Sequence, residues 1–122
     1  MSEESYKAFV ESLKKPGADI IASLTPETAD LMHMNWLLGG EVGEFSDALK
    51  KFVIYGKPLD RENVVEELGD IEFALSGLRT NLGITRQEVI DANVAKLSKR
   101  YHQGGYSDQQ AQQRADKGKV YE

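Results

Sequence analysis

The stretch GGEVGEFSDALKK, Gly39 to Lys51, decides how this chain is read. Leu38, Phe45, Leu49 and Phe52, in and around it, follow a 3.6-residue apolar period, which predicts an amphipathic helix. Glu41 and Glu44 stand three residues apart in that helix and so share one face. A second stretch, VVEELGDIEFAL from Val64 to Leu75, repeats the arrangement. There Glu67 and Asp70 border a stripe of Val64, Leu68, Ile71, Leu75 and Leu78. The intervening YGKPLDR allows a tight antiparallel return. The two stripes are therefore expected to pack on each other and to bring all four carboxylates to the edge of the core.

Four negative charges gathered there repel strongly at low dielectric, so they must be protonated, paired or bound to cations. Carboxylate oxygens are hard ligands, and Mg²⁺ or Mn²⁺ is their natural counter-ion. One such acidic pair alone reads as a solvated helix face. Two pairs beside two core stripes point further, as do the glycines: Gly39, Gly40 and Gly43 flank the first pair and Gly69 lies inside the second. Glycine in a helix interior costs about 1 kcal/mol relative to alanine. Four such positions imply either close helix packing or space for a ligand.

The rest of the chain also reads as helix. The first runs from about Glu3 to Lys14, with Glu3 and Glu4 at its positive end, and stops at KPG. The second opens at TPE, with Thr25 as cap and Pro26 in first position, and continues to about Tyr55 with an interruption at Gly39-Gly40. Asp60 caps a third that ends at Leu82-Gly83. TRQE, Thr85 to Glu88, is a capping box for a fourth helix reaching about Tyr101. HQGGYSDQQ breaks it, and Ser107 caps a short last helix. No segment alternates as a strand does. The predicted fold is all-α, a bundle of four to five helices in one domain.

Composition narrows the function. A net charge of -5 and a pI near 5.1 argue against a nucleic-acid polymer as partner, which needs a basic face. There is no cysteine, hence no disulfide or thiolate metal site. The opening MSEESYKAF lacks a basic n-region and an apolar run, and no apolar stretch approaches the roughly 18 residues of a membrane span. A cytoplasmic protein without a membrane partner is expected. Val42, Phe45, Leu49, Phe52 and Val53 spread over more than one helix face, as do Val65, Leu68, Ile71, Phe73 and Leu75. A monomer's surface helix needs one apolar stripe, so a homo-oligomer is expected.

The pattern Glu41-x-x-Glu44, 22 residues, Glu67-x-x-Asp70 resembles the signature of the MazG-like all-α nucleoside triphosphate pyrophosphohydrolases. The blocks GGEVGEFSDALKK, YGKPLDRENVVEELGD and NVAKLSKRYHQGGYSD are similar to those of phage and bacterial members, from about Thr25 to Asp108. The resemblance implies Mg²⁺-dependent hydrolysis of a nucleoside triphosphate to the monophosphate and pyrophosphate, in the cytoplasm (the host's, for a phage-encoded chain). It implies a homodimer or dimer of dimers in which a second subunit helps close the nucleotide pocket. Glu41, Glu44, Glu67 and Asp70 become the metal ligands and catalytic acids. Some members carry a further Glu just before the first pair, where this chain has Gly40, so the general base stays open among the four acids and Glu66.

The resemblance carries nucleotide contacts onto Asn93, Lys96, Arg100 and Tyr101. The first three share a helix face, although a basic face near a helix C-terminus is also what the dipole favours. Lys51, Tyr55 and Lys57 can reach phosphates from the loop after the second helix, or simply keep it soluble. Trp36 and Asn35, just before the first acidic pair, offer a stacking surface suited to a purine deoxynucleotide and an amide for its edge. A lone Trp at helical spacing is more often a core residue. With only His33 and His102 there is no Glu-x-x-His at the acids, which disfavours a di-iron bundle. The reading from another class is a non-catalytic helical interaction module whose acids hold a structural cation.

Overall fold

The computed structural model describes residues 1–117. Among them are six α-helices and no strand: α1 (Glu3–Leu13), α2 (Gly17–Ser23), α3 (Pro26–Val53), α4 (Arg61–Leu82), α5 (Arg86–Arg100) and α6 (Asp108–Gln113). The all-α expectation holds, with one helix more than the sequence signals mark. That helix is α2, seven residues begun by Pro16 without a side-chain cap. It is too short to show a helical period and lacks the usual start signal.

Caps set the other boundaries. Side-chain oxygens of Ser2, Thr25, Asp60, Thr85 and Ser107 each accept the backbone N–H three residues on. Such a cap contributes about 1 kcal/mol. The reciprocal capping box falls at Thr25 and Thr28, where the Thr25 N–H donates to Thr28 Oγ1 at 2.9 Å. At TRQE only the Thr85 half forms, at 3.0 Å. The helix α3 runs for 28 residues straight through Gly39-Gly40, because its hydrogen-bond ladder needs no side chain there and α4 supports it from the other face.

The helices α3 and α4 make the extensive contact of the fold; α5 and α6 make a smaller one. The α3–α4 pair is antiparallel: Met34 meets Gly77, Glu41 meets Asp70, and Ala48 shares a hollow with Asn63. The facing stripe on α3 is Leu31, Met34, Leu38, Glu41, Phe45 and Ala48, all half-buried. On α4 it is Val64, Glu67, Ile71, Ala74 and Leu78, with Ala74 fully buried. Both stripes step by three and four, the alternation that keeps side chains in one helix seam. Glu41 and Glu67 thus occupy the seam itself, whereas the sequence had placed them at its border. Leu68 and Phe52, expected in the stripes, point outward and are 45% exposed.

Glycine divides in the same way. A Cβ at Gly77 would meet Met34 Sδ at 2.6 Å, so close approach of the two helices falls there. At Gly39, Gly40, Gly43 and Gly69 a Cβ would meet nothing within 4 Å among the described residues beyond its own helix turn. Within this chain those four do not serve helix packing.

Little of the apolar surface is covered. Trp36, Val53, Ile54 and Phe73 are each about two-thirds exposed, and Ala74 is the one buried apolar residue among the described residues. The chain exposes 9775 Å², against roughly 6,600 Å² for a compact monomer of 13.6 kDa. No helix of the described residues is long and apolar enough to cross a membrane.

Candidate metal and nucleotide site

The antiparallel register places the middle of α3 opposite the first half of α4. Glu41, Glu67 and Asp70 then each offer a carboxylate oxygen within 4.8 Å of the others'. Glu44 lies one turn along α3, outside that set but close enough to act on it. Desolvation in the seam raises the Glu41 carboxyl above the ordinary glutamate range, and repulsion from Glu44 and then Asp70 adds to it. The Glu67 carboxyl is raised by the same desolvation and again by Glu44. Glu41 Oε2 and Glu67 Oε2 are fully buried and have no hydrogen-bond partner.

A buried carboxylate oxygen without a donor costs stability. Two of them, on residues whose carboxylates lie together with that of Asp70, fit a divalent cation: hard oxygen ligands at short mutual distance, and excess negative charge for it to offset. The cluster is exposed enough on the Asp70 side for a substrate to share the cation.

Beside the cluster a groove of ≈ 460 Å³ opens between α3 and α4, lined by Gly40, Gly43, Glu44, Lys51, Asn63 and Glu67, with Asp47 and Ala48. It runs on past Lys51 and Asn63 into a hollow of ≈ 320 Å³ bounded by Lys57, Pro58 and Asp60. The two lysines are tied together by backbone. The Lys57 N–H donates to the Lys51 carbonyl at 3.1 Å, closing α3 through Gly56, whose φ of +66° is the left-handed value glycine adopts without strain. Asp60 caps α4 by accepting the Asn63 N–H at 3.1 Å. Asn63 was not singled out from sequence. Its signal is the four-residue spacing to Glu67, which puts both on one face.

The other expected contacts lie elsewhere. Asn93 and Lys96 are exposed on α5, which makes no extensive contact with α3 or α4. One chain does not bring them to the carboxylates. Arg100 is committed within the chain: its Nε donates to Asp116 at 2.8 Å. The Tyr101 ring lies 5.6 Å from that of Tyr106, tilted by 41°. Trp36 is exposed, not core, and Asn35 beside it is exposed too. Lys50, which the sequence did not single out, sits 5.5 Å over the Tyr55 ring.

The structure thus joins an all-α hairpin, a carboxylate cluster in its seam and a polar groove at its side. Residues 29–104 match the family model of the MazG nucleotide pyrophosphohydrolase domain, and the chain belongs to that family. A search of the curated proteins and of the solved structures found no significant match.

Proposed function

We propose that this protein hydrolyses a (deoxy)nucleoside triphosphate to the monophosphate and pyrophosphate, acting as one MazG-like domain and as a homo-oligomer. The observation that carries the reading is the pair of buried, unpartnered carboxylate oxygens on Glu41 and Glu67 beside Asp70, in a chain of the pyrophosphohydrolase family. Glu41, Glu67 and Asp70 would hold Mg²⁺, with Mn²⁺ as a substitute. A cation bound there offsets the charge of the phosphate oxygens and makes water a competent nucleophile near neutral pH.

The chain's own groups supply the rest. Glu44 stands beside the ligand set but outside it, and one of the site's acids accepts the proton of the attacking water. The seam's apolar neighbours Leu38, Phe45 and Ile71 limit bulk water around the acids, which strengthens charge interactions within them. Lys51 and Lys57 contact phosphate oxygens from the end of α3. Trp36 and Asn35, free of the core, face the base, and the indole's area suits a purine. Hydrolysis of this kind serves nucleotide-pool cleaning or shaping.

A second subunit completes the pocket. Asn93, Lys96 and Tyr101 stand away from the acids of their own chain, and a partner's α5 can deliver them. The surface supports oligomerisation independently. The excess of about 3,000 Å² per chain over a compact monomer would amount to about 6,000 Å² in a dimer, at the upper end of obligate interfaces. The hollow of ≈ 650 Å³ around Met34, Phe73 and Gly77, at the end of the hairpin away from the groove, is part of the apolar surface so covered.

The test is pyrophosphate release from a panel of (d)NTPs with and without Mg²⁺. Metal-dependent turnover of at least one substrate supports the proposal. Tight cation binding with no turnover of any nucleotide would instead indicate a non-catalytic helical module with a structural cation.

A further inference from the structure

The groove beside the carboxylates has a direction. At one end stand Glu44 and Glu67; at the other stand Lys57 and the start of α4, with Lys51 and Asn63 between. A cation held by Glu41, Glu67 and Asp70 at the first end can be shared with a ligand, while ammonium and amide groups at the other take its anionic oxygens. That graded pattern suits a metal-complexed diphosphate better than a nucleobase, which needs an apolar face that this groove does not offer. The floor is open where it passes Gly40 and Gly43, and among the described residues nothing outside their own helix turn comes within 4 Å of a Cβ added at either. Glycine stands at both positions, although alanine would favour the helix by about 1 kcal/mol each.

The charges along the walls are mostly accounted for. Asp60 is engaged in capping α4. Asp47 lies 3.6 Å from Lys51 in an exposed, weak pair, which a phosphate can displace. Lys57 has no ion pair among the described residues. The Asn63 side chain makes no hydrogen bond among them, although the residue is half-buried and lines both hollows.

From these observations we infer that the groove binds the two terminal phosphates of the substrate, the pyrophosphate to be released, and that Asn63 and Lys57 are the residues that hold it. The inference rests on the pyrophosphohydrolase reading and adds the orientation of the substrate. The reacting α-phosphorus lies at the carboxylates, the leaving group points along α3 towards its C-terminus, and the nucleoside points the other way, towards Trp36. Asn63 donates from its amide to a phosphate oxygen, and Lys57 supplies charge.

The test is calorimetric titration of the full-length protein with inorganic pyrophosphate in the presence of Mg²⁺, with a nucleoside monophosphate such as dAMP as the control ligand. Asn63→Ala and Lys57→Ala should each weaken pyrophosphate binding roughly tenfold or more, the usual loss for a hydrogen bond to a charged group. Binding of dAMP and the thermal midpoint should stay unchanged, because neither side chain holds the fold. Pyrophosphate affinity equal to wild type in both variants, or no pyrophosphate binding by wild type at millimolar concentration, would overturn the inference. If that happens while wild type still hydrolyses nucleotides, only the groove assignment fails. If wild type hydrolyses none but loses pyrophosphate binding in the two variants, the groove stands and the hydrolase reading fails.

Discussion

Asp116 receives Arg100 Nε at 2.8 Å and Nη2 at 3.3 Å, and the two side chains are only 5% and 18% exposed. The other ion pairs among the described residues are three or four positions apart on exposed helix surface. This one closes 16 residues of chain, fastening the segment after α6 onto the end of α5. It occupies the guanidinium that family resemblance would give to phosphate, and leaves Lys96 as the exposed cation of that helix face.

Arg100 is accordingly expected to act as a clasp. Arg100→Ala and Asp116→Asn should lower the thermal midpoint by similar amounts, and the double variant should be little worse than either, as for one shared interaction. KM should move in neither. A raised KM in Arg100→Ala with none in Asp116→Asn would return Arg100 to the substrate.

The same pair sets an acid limit. Hydrogen bonds from Arg100 hold the Asp116 carboxyl below the usual range. A depressed folded pKa gives stability that is complete above the unfolded value, about 3.9, and is lost as pH falls through the folded one. Protection of the α6 amides, taken relative to the intrinsic rate at each pH, should therefore hold from neutral pH down to about 4 and fall below it. Asp116→Asn should exchange fast throughout.

The acids should separate by role. Glu41→Gln, Glu67→Gln and Asp70→Asn are expected to lower turnover roughly 100-fold or more and to abolish the rise in thermal midpoint on adding Mg²⁺. Glu44→Gln should lose turnover but keep that rise. In metal-free protein, Glu41→Gln and Glu67→Gln should unfold at higher temperature than wild type, since each removes a desolvated charge. Differential scanning with and without Mg²⁺ reads all four.

The exposed apolar surface predicts an oligomer with no stable monomer. Light scattering over a wide dilution range should give at least twice 13.6 kDa, and the thermal midpoint should rise with concentration. Phe73→Asp should dissociate or precipitate it. A monodisperse 13.6-kDa species that hydrolyses nucleotides would show that the pocket is complete in one chain.

Two glycines should answer oppositely to alanine. Gly43→Ala meets nothing among the described residues and should gain up to about 1 kcal/mol of helix stability, raising the midpoint by roughly 3 °C. Gly77→Ala meets Met34 Sδ and should gain little or lose, because Met34 must move from the α3–α4 seam.

Much of this was local and therefore legible in the sequence. Thr25, Asp60, Thr85 and Ser107 mark helix starts because a cap needs only its own helix. Gly83 marks a stop because its φ of +68° suits glycine. The two acidic pairs are visible because spacing on a helix needs no partner.

That α3 packs on α4 and gathers the acids was legible too, but which side chains fill the seam was not. Periodicity put Leu68 in the seam and the acids beside it. Packing reversed this, because α3 and α4 interlock on three-four steps that run through Glu41 and Glu67. The same choice turned four glycines outward and assigned close contact to Gly77. Pairing of Arg100 with Asp116 across 16 residues was equally beyond a sequence pattern. The sequence determined which residue types lie on each helix face. Only the tertiary structure decided which faces meet, because register depends on the shapes of both surfaces at once, and that register leaves two carboxylate oxygens buried without a donor.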